Sequence, residues 1–353
     1  MENLLKIGIT HGDINGISYE IILKALSDSR ILEQCIPILY GSPKVVAFYR
    51  KMFEINNINF SIIRSASDAN YRKLYIVNCC SDEIKVEVGK QTVDAGTYAL
   101  NALEIAANEW KAGKIDALVT APINKSTIQS DKFHFPGHTE YLEQIAGGQS
   151  VMILLADSVR VALATNHVPV HKISEKLTKE VIINKLKVLN KSLVHDFSIT
   201  CPRIAVLGLN PHSSDNGLLG DEEQNIIKPA IDEANYRGIT CTGPLSADGF
   251  WGSGAFANYD AILAMYHDQG LAPFKALFQD SGVNYTAGLP FVRTSPAHGT
   301  AYNLAGKNAA NPSSFLQAIY LAIDVVKNRK MHKEASINPL KVEKMQQHNS
   351  EVA

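Results

Sequence analysis

Cysteine is scarce in this chain and odd in number. Cys35, Cys79, Cys80, Cys201 and Cys241 contain no C-x-x-C pair, which excludes a disulfide framework and a thiolate zinc site. A metal would have to be met by nitrogen and oxygen ligands. An excess of either charge is also missing. Thirty-four Lys+Arg against 35 Asp+Glu give a formal net charge of −1, removing the electrostatic footprint of a general nucleic-acid binder. Any bound anion therefore needs a local site. No apolar run is long enough for a membrane span, nor for a signal peptide in Met1–Gly8, so a cytoplasmic protein without membrane contact is expected. Repeats, low-complexity tracts and Gly/Ser- or Pro-rich linkers are lacking, which points to intertwined lobes rather than a string of domains. Two motif classes fail as well. There is no G-x-x-x-x-G-K-[ST] phosphate loop and no G-x-S-x-G elbow. Gly252-Ser253-Gly254-Ala255-Phe256-Ala257 matches G-x-G-x-x-A, but follows no clear strand and opens no clear helix, so it is rejected as a dinucleotide fingerprint.

What is present is globular: 46% hydrophobic and 20% charged residues over 353 positions. Short apolar runs ending in polar or Gly residues alternate with helix-like stretches, the pattern of an α/β protein with a largely parallel sheet. The runs are Leu4–Thr10, Ile36–Tyr40, Leu74–Val77, Ile115–Thr120, Val151–Leu155, Val159–Thr165, Ile204–Leu209 and Ala261–Met265. The spacing of Ala95, Tyr98, Ala99, Ala102, Leu103, Ala106 and Trp110 predicts a core-facing helix over 94–111 stopped by Gly113. A second helix is expected over 221–236, with Asp221, Glu222 and Glu223 in its first turn and Gly238 closing it. Residues 334–353 read as a polar, exposed tail.

Three apolar runs lead into histidine: Val161–Asn166 into His167, Ile204–Pro211 into His212, and Ile262–Tyr266 into His267. Ligands of open α/β sheets bind beyond the carboxyl ends of the strands, so these three can converge although distant in sequence. Three imidazoles suit a divalent metal and leave a coordination position for substrate or water, and Asp268 can join or orient them. The competing reading is a set of hydrogen-bonded strand-end histidines. A second cluster suits anions. Pro136-Gly137-His138-Thr139 precedes a helix-like stretch, with Thr139 placed to cap free amides that receive a phosphate or carboxylate oxygen. Lys275, Asn284 and Arg293 fall in stretches read as Gly- and Pro-rich loops. The segment His298–Pro312, HGTAYNLAGKNAANP, allows close backbone approach but by composition is either a ligand loop or a turn.

That last segment resembles the loop that wraps the adenosine of the cofactor in isopropylmalate and isocitrate dehydrogenases. The rest of the chain is similar to the 4-hydroxythreonine-4-phosphate dehydrogenase family through TAPINK, FPGHTEYL, ATNHVPV, LGLNPHSSDNGLLGDEE, GPLSADGFW, AMYHDQGLAPFKAL and VNYTAGLPFVRTSPAHGTA, in order over roughly residues 4 to 325. The resemblance implies a two-lobed α/β/α fold with mixed, largely parallel sheets, residues 1–128 plus 300–353 forming one lobe, 129–299 the other, and the active site between them. It implies NAD(P)-dependent oxidation and decarboxylation of 4-(phosphooxy)-L-threonine to 3-amino-2-oxopropyl phosphate and CO2, on the route to pyridoxine 5'-phosphate. It further implies one divalent ion (Zn, Mg or Co) on His167, His212 and His267, and substrate contacts from His138, Thr139, Lys275, Asn284 and Arg293. NAD or NADP would lie on His298, Gly299, Thr300, Ala301 and Asn311. Lys275, Asp248, Asp268 or a water is left to move the hydroxyl proton. A homodimer with shared sites is expected.

The opening departs from the family's I-T-x-G-D-P-x-G-I-G-P-E, since Ile9–Glu20 lacks both prolines and one late glycine. Two rivals stand beside the main reading: a dehydrogenase of 4-phospho-D-erythronate or D-threonate, and a phosphotransacetylase-like acyltransferase needing neither metal nor NAD.

Overall fold

The computed structural model describes residues 4–81, 83–131, 133–135 and 137–338. Pro136 and the expected tail beyond Asn338 lie outside the described residues. The described strands are β1 (Leu5–Thr10), β2 (Cys35–Gly41), β3 (Phe60–Ile63), β4 (Leu74–Asn78), β5 (Ala117–Thr120) and β6 (Val151–Ala156). They continue as β7 (Val159–Leu163), β8 (Ile204–Leu207), β9 (Cys241–Leu245), β10 (Ala261–Ala264), β11 (Val283–Ala287) and β12 (Val292–Pro296). All twelve form one sheet in the order β3-β4-β2-β1-β5-β12-β11-β6-β7-β10-β8-β9. Pairing is parallel except where β11 meets β12 and β6, and where β6 meets β7. The expected α/β architecture with a mixed, largely parallel sheet is the one observed.

The apolar runs are strands because helices cover both faces. Every residue of β2, β5, β6, β8 and β10 is buried, so these strands carry no polar alternation. β12 returns from late in the chain to lie parallel to β5, and the helix Ser313–Ala335 then packs on β12, β11, β5 and β1. The helix expected over 94–111 spans Val93–Lys111, with the Thr92 hydroxyl accepting from the Ala95 amide. Gly96 is required there. A Cβ at this position would lie 2.0 Å from the Thr127 carbonyl oxygen, so the helix presses directly on the turn after β5.

Four strands were not foreseen: β3, β9, β11 and β12. β11 and β12 read NYT and RTSP in part, polar sequences that hydrophobic periodicity takes for loop. Asn284, Arg293 and Ser295 face a cavity, while Thr286 accepts from Arg293 and Thr294 donates to the Ala318 carbonyl of the packed helix. The second expected helix is present, and its first part is π-helical: Glu223–Ile227 runs directly into the α-helix Lys228–Tyr236, with Glu223 pointing inward instead of stabilising the helix start.

His11 is fully buried, with its ring 5.6 Å from that of Tyr19. Burial pushes its imidazole down to about 4, against the backbone hydrogen bonds at Tyr98 and Gly12. The unfolded chain takes up this proton near the ordinary value of 6.5, whereas the folded chain does not until about 4. Between those values the unfolded state binds more protons. Stability therefore falls as pH drops through the window, by up to about 1.4 kcal/mol per pH unit for this group. Urea midpoints measured from pH 7 to pH 5 are expected to decline, and His11→Phe to flatten the decline by about one proton. An unaltered slope in the variant would refute this.

Candidate active site

A cavity of about 220 Å³ opens beside the middle strands β5, β12, β11 and β6. Arg293, the second residue of β12, forms its buried wall at 3% exposure. Its Nε and Nη2 donate to Thr120 Oγ1 at 3.1 and 2.7 Å, and Nη1 to Thr286 Oγ1 at 3.2 Å. Nη2 also lies 3.3 Å from His138 Nδ1. These partners are all uncharged. Burial lowers the guanidinium to about 10, partly offset by Glu140, so it stays charged at neutral pH with no carboxylate bound to it directly. A buried cation held only by neutral groups is suited to receive an anion.

His138 is the first residue of the helix His138–Ala146 and is driven well below the usual imidazole range, first by burial and then by Arg293 and Lys125. The imidazole is neutral there. With Nδ1 accepting from Arg293, its Nε2–H is left to donate to a ligand. Thr139 lines the cavity but does not cap the helix as expected; Gly137 is the N-cap and brings no side chain to the free amides. Lys275 and Asn284 line the same cavity. The expectation of loops for Lys275, Asn284 and Arg293 is corrected: they stand on the helix His267–Leu277, on β11 and on β12. Asn284 Oδ1 is buried with no hydrogen-bond partner among the described residues, an acceptor aimed at a ligand.

The histidines divide. His167 and His267 both line the cavity, with ring centroids 6.0 Å apart. His267 Nδ1 is 2.7 Å from Asp268 Oδ1, and His167 Nδ1 is 3.6 Å from Glu140 Oε1. A carboxylate at each Nδ1 is the arrangement that orients the Nε2 of an imidazole toward a metal; the Nε2 of His167 is met in this structure by Lys125 Nζ at 3.4 Å. This donor chemistry fits two corners of a divalent-ion site. His212 lines a separate depression with Asp248, Tyr266 and Gln269. Among the described residues of one chain, no three His, Cys, Asp or Glu side chains gather closely enough to hold a metal. The expected convergence of three imidazoles thus does not occur within a single chain, because His212 leaves β8 on a turn of its own.

Of the three side chains considered for the hydroxyl proton, only Lys275 lines the cavity. Asp268 reaches it through His267. Asp248 accepts from Ser246 Oγ at 2.6 Å, which holds its carboxyl below the ordinary range, and it sits with His212.

In the segment 298–311, His298 and Gly299 line the cavity, and His298 Nε2 is buried without a partner among the described residues. Burial, then the charge of Lys275, lowers the His298 imidazole, against the Gly299 carbonyl. Thr300 accepts from the Ile17 amide, Ala301 has φ 42°, and the Asn311 side chain caps the Ser313 amide, so these three shape the loop. The divergent opening segment clamps it: Tyr302 donates to buried Asp13 at 2.6 Å, and Glu20 Oε1 accepts from the Ala310 amide at 2.8 Å. Gly252–Ala257 runs from the last residue of the short helix Ala247–Gly252 into the 3-10 turn Ala255–Asn258 and follows no strand, consistent with its rejection.

Sequence reasoning missed Thr120, Lys125, Glu140 and Thr286 as part of this site. Thr120 and Lys125 frame the TAPINK segment, and the strand-end signal that singled out the histidines applies equally to Thr120.

A family model described as "Pyridoxal phosphate biosynthetic protein PdxA" matches residues 33–322. A 4-hydroxythreonine-4-phosphate dehydrogenase of Bacteroides thetaiotaomicron is 58% identical over 342 residues, 96% of this chain and 94% of the relative. Another, from a Sulfurihydrogenibium species, is 41% identical over 93% of this chain and all of its own length, 100%. The crystal structure of a 4-hydroxythreonine-4-phosphate dehydrogenase from Klebsiella pneumoniae superposes with a TM-score of 0.80 at 31% identity, covering 92% of this chain and 98% of that one.

Proposed function

Since the chain belongs to the PdxA family of pyridoxal phosphate biosynthetic proteins, we propose that it is a 4-hydroxythreonine-4-phosphate dehydrogenase of vitamin B6 biosynthesis. It oxidises and decarboxylates 4-(phosphooxy)-L-threonine to 3-amino-2-oxopropyl phosphate and CO2. The observation that carries this reading is Arg293, a buried guanidinium with only uncharged partners, in one cavity with Lys275, neutral His138 and the unpartnered Asn284 Oδ1. Such a cavity selects a small substrate with more than one negative charge.

When bound, a divalent ion (Zn, Mg or Co) supplies Lewis-acid polarisation of a hydroxyl, and NAD or NADP supplies the hydride acceptor. The imidazoles of His167 and His267 would hold the ion, turned toward it by Glu140 and Asp268. The loop 298–311 would hold the dinucleotide, with His298 and Gly299 toward the cavity and Thr300, Ala301 and Asn311 keeping the loop's shape. Arg293, Lys275, His138, Thr139 and Asn284 fix the anionic ends and so place the reacting carbon. Lys275 is the side chain placed to exchange the hydroxyl proton. Closure of lobe 129–299 on residues 1–128 and 300–353 would exclude water. Among the described residues no helix is long and apolar enough to cross a membrane, and the proposed setting is the cytoplasm.

His212 is proposed to enter this site from a second copy, as His212 of the partner subunit in a homodimer. Two inactive variants, His167→Ala and His212→Ala, are then expected to regain activity when co-assembled, since each mixed dimer would hold one intact site. Mixed dimers as inactive as their parents would refute the shared site. The substrate is tested by supplying 4-(phosphooxy)-L-threonine, 4-phospho-D-erythronate or 4-phospho-D-threonate with NAD or NADP and each ion. Reduced nicotinamide and CO2 are expected from the first alone. Turnover of a phosphotetronate only would move the substrate, and acyl transfer from acetyl phosphate to coenzyme A without either cofactor would overturn the class.

A further inference from the structure

The cavity holds its cations in two places. Lys275 lies near His298, whose imidazole it depresses, while Arg293 lies against His138 at the start of the helix His138–Ala146. A third cation, Lys125, belongs to the second place. Its charge helps depress His138 and Glu140, its Cε comes within 3.8 Å of where a Cβ on Gly137 would stand, and its Nζ is 3.4 Å from His167 Nε2.

The backbone that carries Lys125 is rigid. Asn124 Oδ1 accepts from the Ser126 amide and hydroxyl at 2.9 and 2.7 Å, Gln129 Nε2 donates to the Lys125 carbonyl, and the helix at Gly96 presses on Thr127. The side chain thus starts from a fixed turn at the rim of the cavity, which it lines. The charges there do not balance. Of the described residues lining the cavity, Lys125, Lys275 and Arg293 are cationic side chains and Glu140 alone is acidic. Glu140 faces His167. Three cations in a partly enclosed space with one carboxylate among them are arranged for a ligand that brings the missing charge.

Resting on the proposed function, we infer that Lys125 is a substrate-binding residue that closes on the same oxyanion as Arg293 and His138, opposite the end held by Lys275. That oxyanion is the substrate's phosphate or its carboxylate.

Lys125 is exposed, so its replacement leaves the core untouched. Lys125→Met and Lys125→Arg are compared with the wild type by calorimetric titration of 4-(phosphooxy)-L-threonine, unphosphorylated 4-hydroxythreonine and inorganic phosphate. Lys125→Met is expected to raise the Kd and KM of the phosphorylated compound about 10- to 100-fold, the range of one charge-assisted hydrogen bond, with kcat changed far less. Lys125→Arg is expected to recover most of that loss. If the contact is to phosphate, inorganic phosphate weakens in parallel and the unphosphorylated compound is unaffected. If it is to carboxylate, both amino acids weaken and inorganic phosphate does not. A Kd that stays within about two-fold for all three ligands, while the wild type binds the substrate, overturns the inference alone. A wild type that binds neither the phosphorylated compound nor phosphate overturns the functional reading with it.

Discussion

Arg293→Met is expected to raise the Kd and KM of the phosphorylated substrate by at least about 100-fold, the loss of a buried charge-assisted contact of close to 3 kcal/mol. The guanidinium is 3% exposed, and its hydrogen bonds go to two threonine hydroxyls and an imidazole, so its charge is matched by the ligand and not by the fold. The same fact predicts what will not change. A buried cation is costly to desolvate, and methionine fills a similar volume, so folding stability should stay within about 1 kcal/mol of the wild type. Dinucleotide affinity should be unaltered, since the loop 298–311 is held from the opposite side by Asp13 and Glu20. Substrate and dinucleotide titrations, with a urea curve on the same variant, check all three parts. A KM within about three-fold of wild type would refute the assignment of Arg293 as an anion anchor.

Glu223→Ala is expected to cost about 3 to 5 kcal/mol of stability, since three hydrogen bonds to a buried carboxylate are lost and two backbone amides are left unpaired. The loss should also loosen the turn that carries His212. Residues 212–216, none of them glycine, all have positive φ, between 44° and 67°. A left-handed residue with a Cβ costs roughly 1 to 2 kcal/mol, so five in succession form a strained turn that the surroundings must impose. Glu223 fixes the two residues that lead into it. Its Oε1 accepts from the Leu209 and Asn210 amides at 2.7 Å each, and its Oε2 from Asn210 Nδ2 at 2.9 Å. Gln269 ties this exit from β8 to the approach of His267, accepting from the Met265 amide and donating to the Gly208 carbonyl. In the variant, hydrogen exchange should quicken around 209–218, and Glu223→Gln, which keeps an acceptor, should lie in between. Stability within about 1 kcal/mol of wild type, with exchange unaltered, would count against this account.

The strands that sequence reasoning placed, such as β2, β6 and β10, are those buried on both faces, where an uninterrupted apolar run is the physical requirement. β11 and β12 escaped because Asn284, Arg293 and Ser295 line a cavity, Thr286 supports Arg293 and Thr294 bonds the Ala318 carbonyl of the packed helix, and hydrophobic periodicity cannot register polar residues that tertiary partners turn inward. The left-handed turn at His212 left no local signal either. Ser, Asp and Asn tolerate that conformation singly, but a run of five depends on tertiary partners, with Glu223 holding the entry at Leu209 and Asn210 and Ser213 Oγ donating to the Pro244 carbonyl.

By itself the sequence determined the fold class, the residue chemistry and the family. Apolar runs and helical spacing depend on neighbours a few positions away, and TAPINK, HDQGLAPFK and HGTAYNLAGK carry recognisable order without any spatial information. Only the tertiary structure decided which charges meet. It set Arg293 against Thr120 across 173 positions of chain, brought Lys125 to His167 across 42, and held His212 apart from the other two histidines. The reason is geometric: hydrogen bonds and ion contacts act over a few ångströms, and the order of strands in the sheet, which no local pattern encodes, determines which strand ends come within that reach.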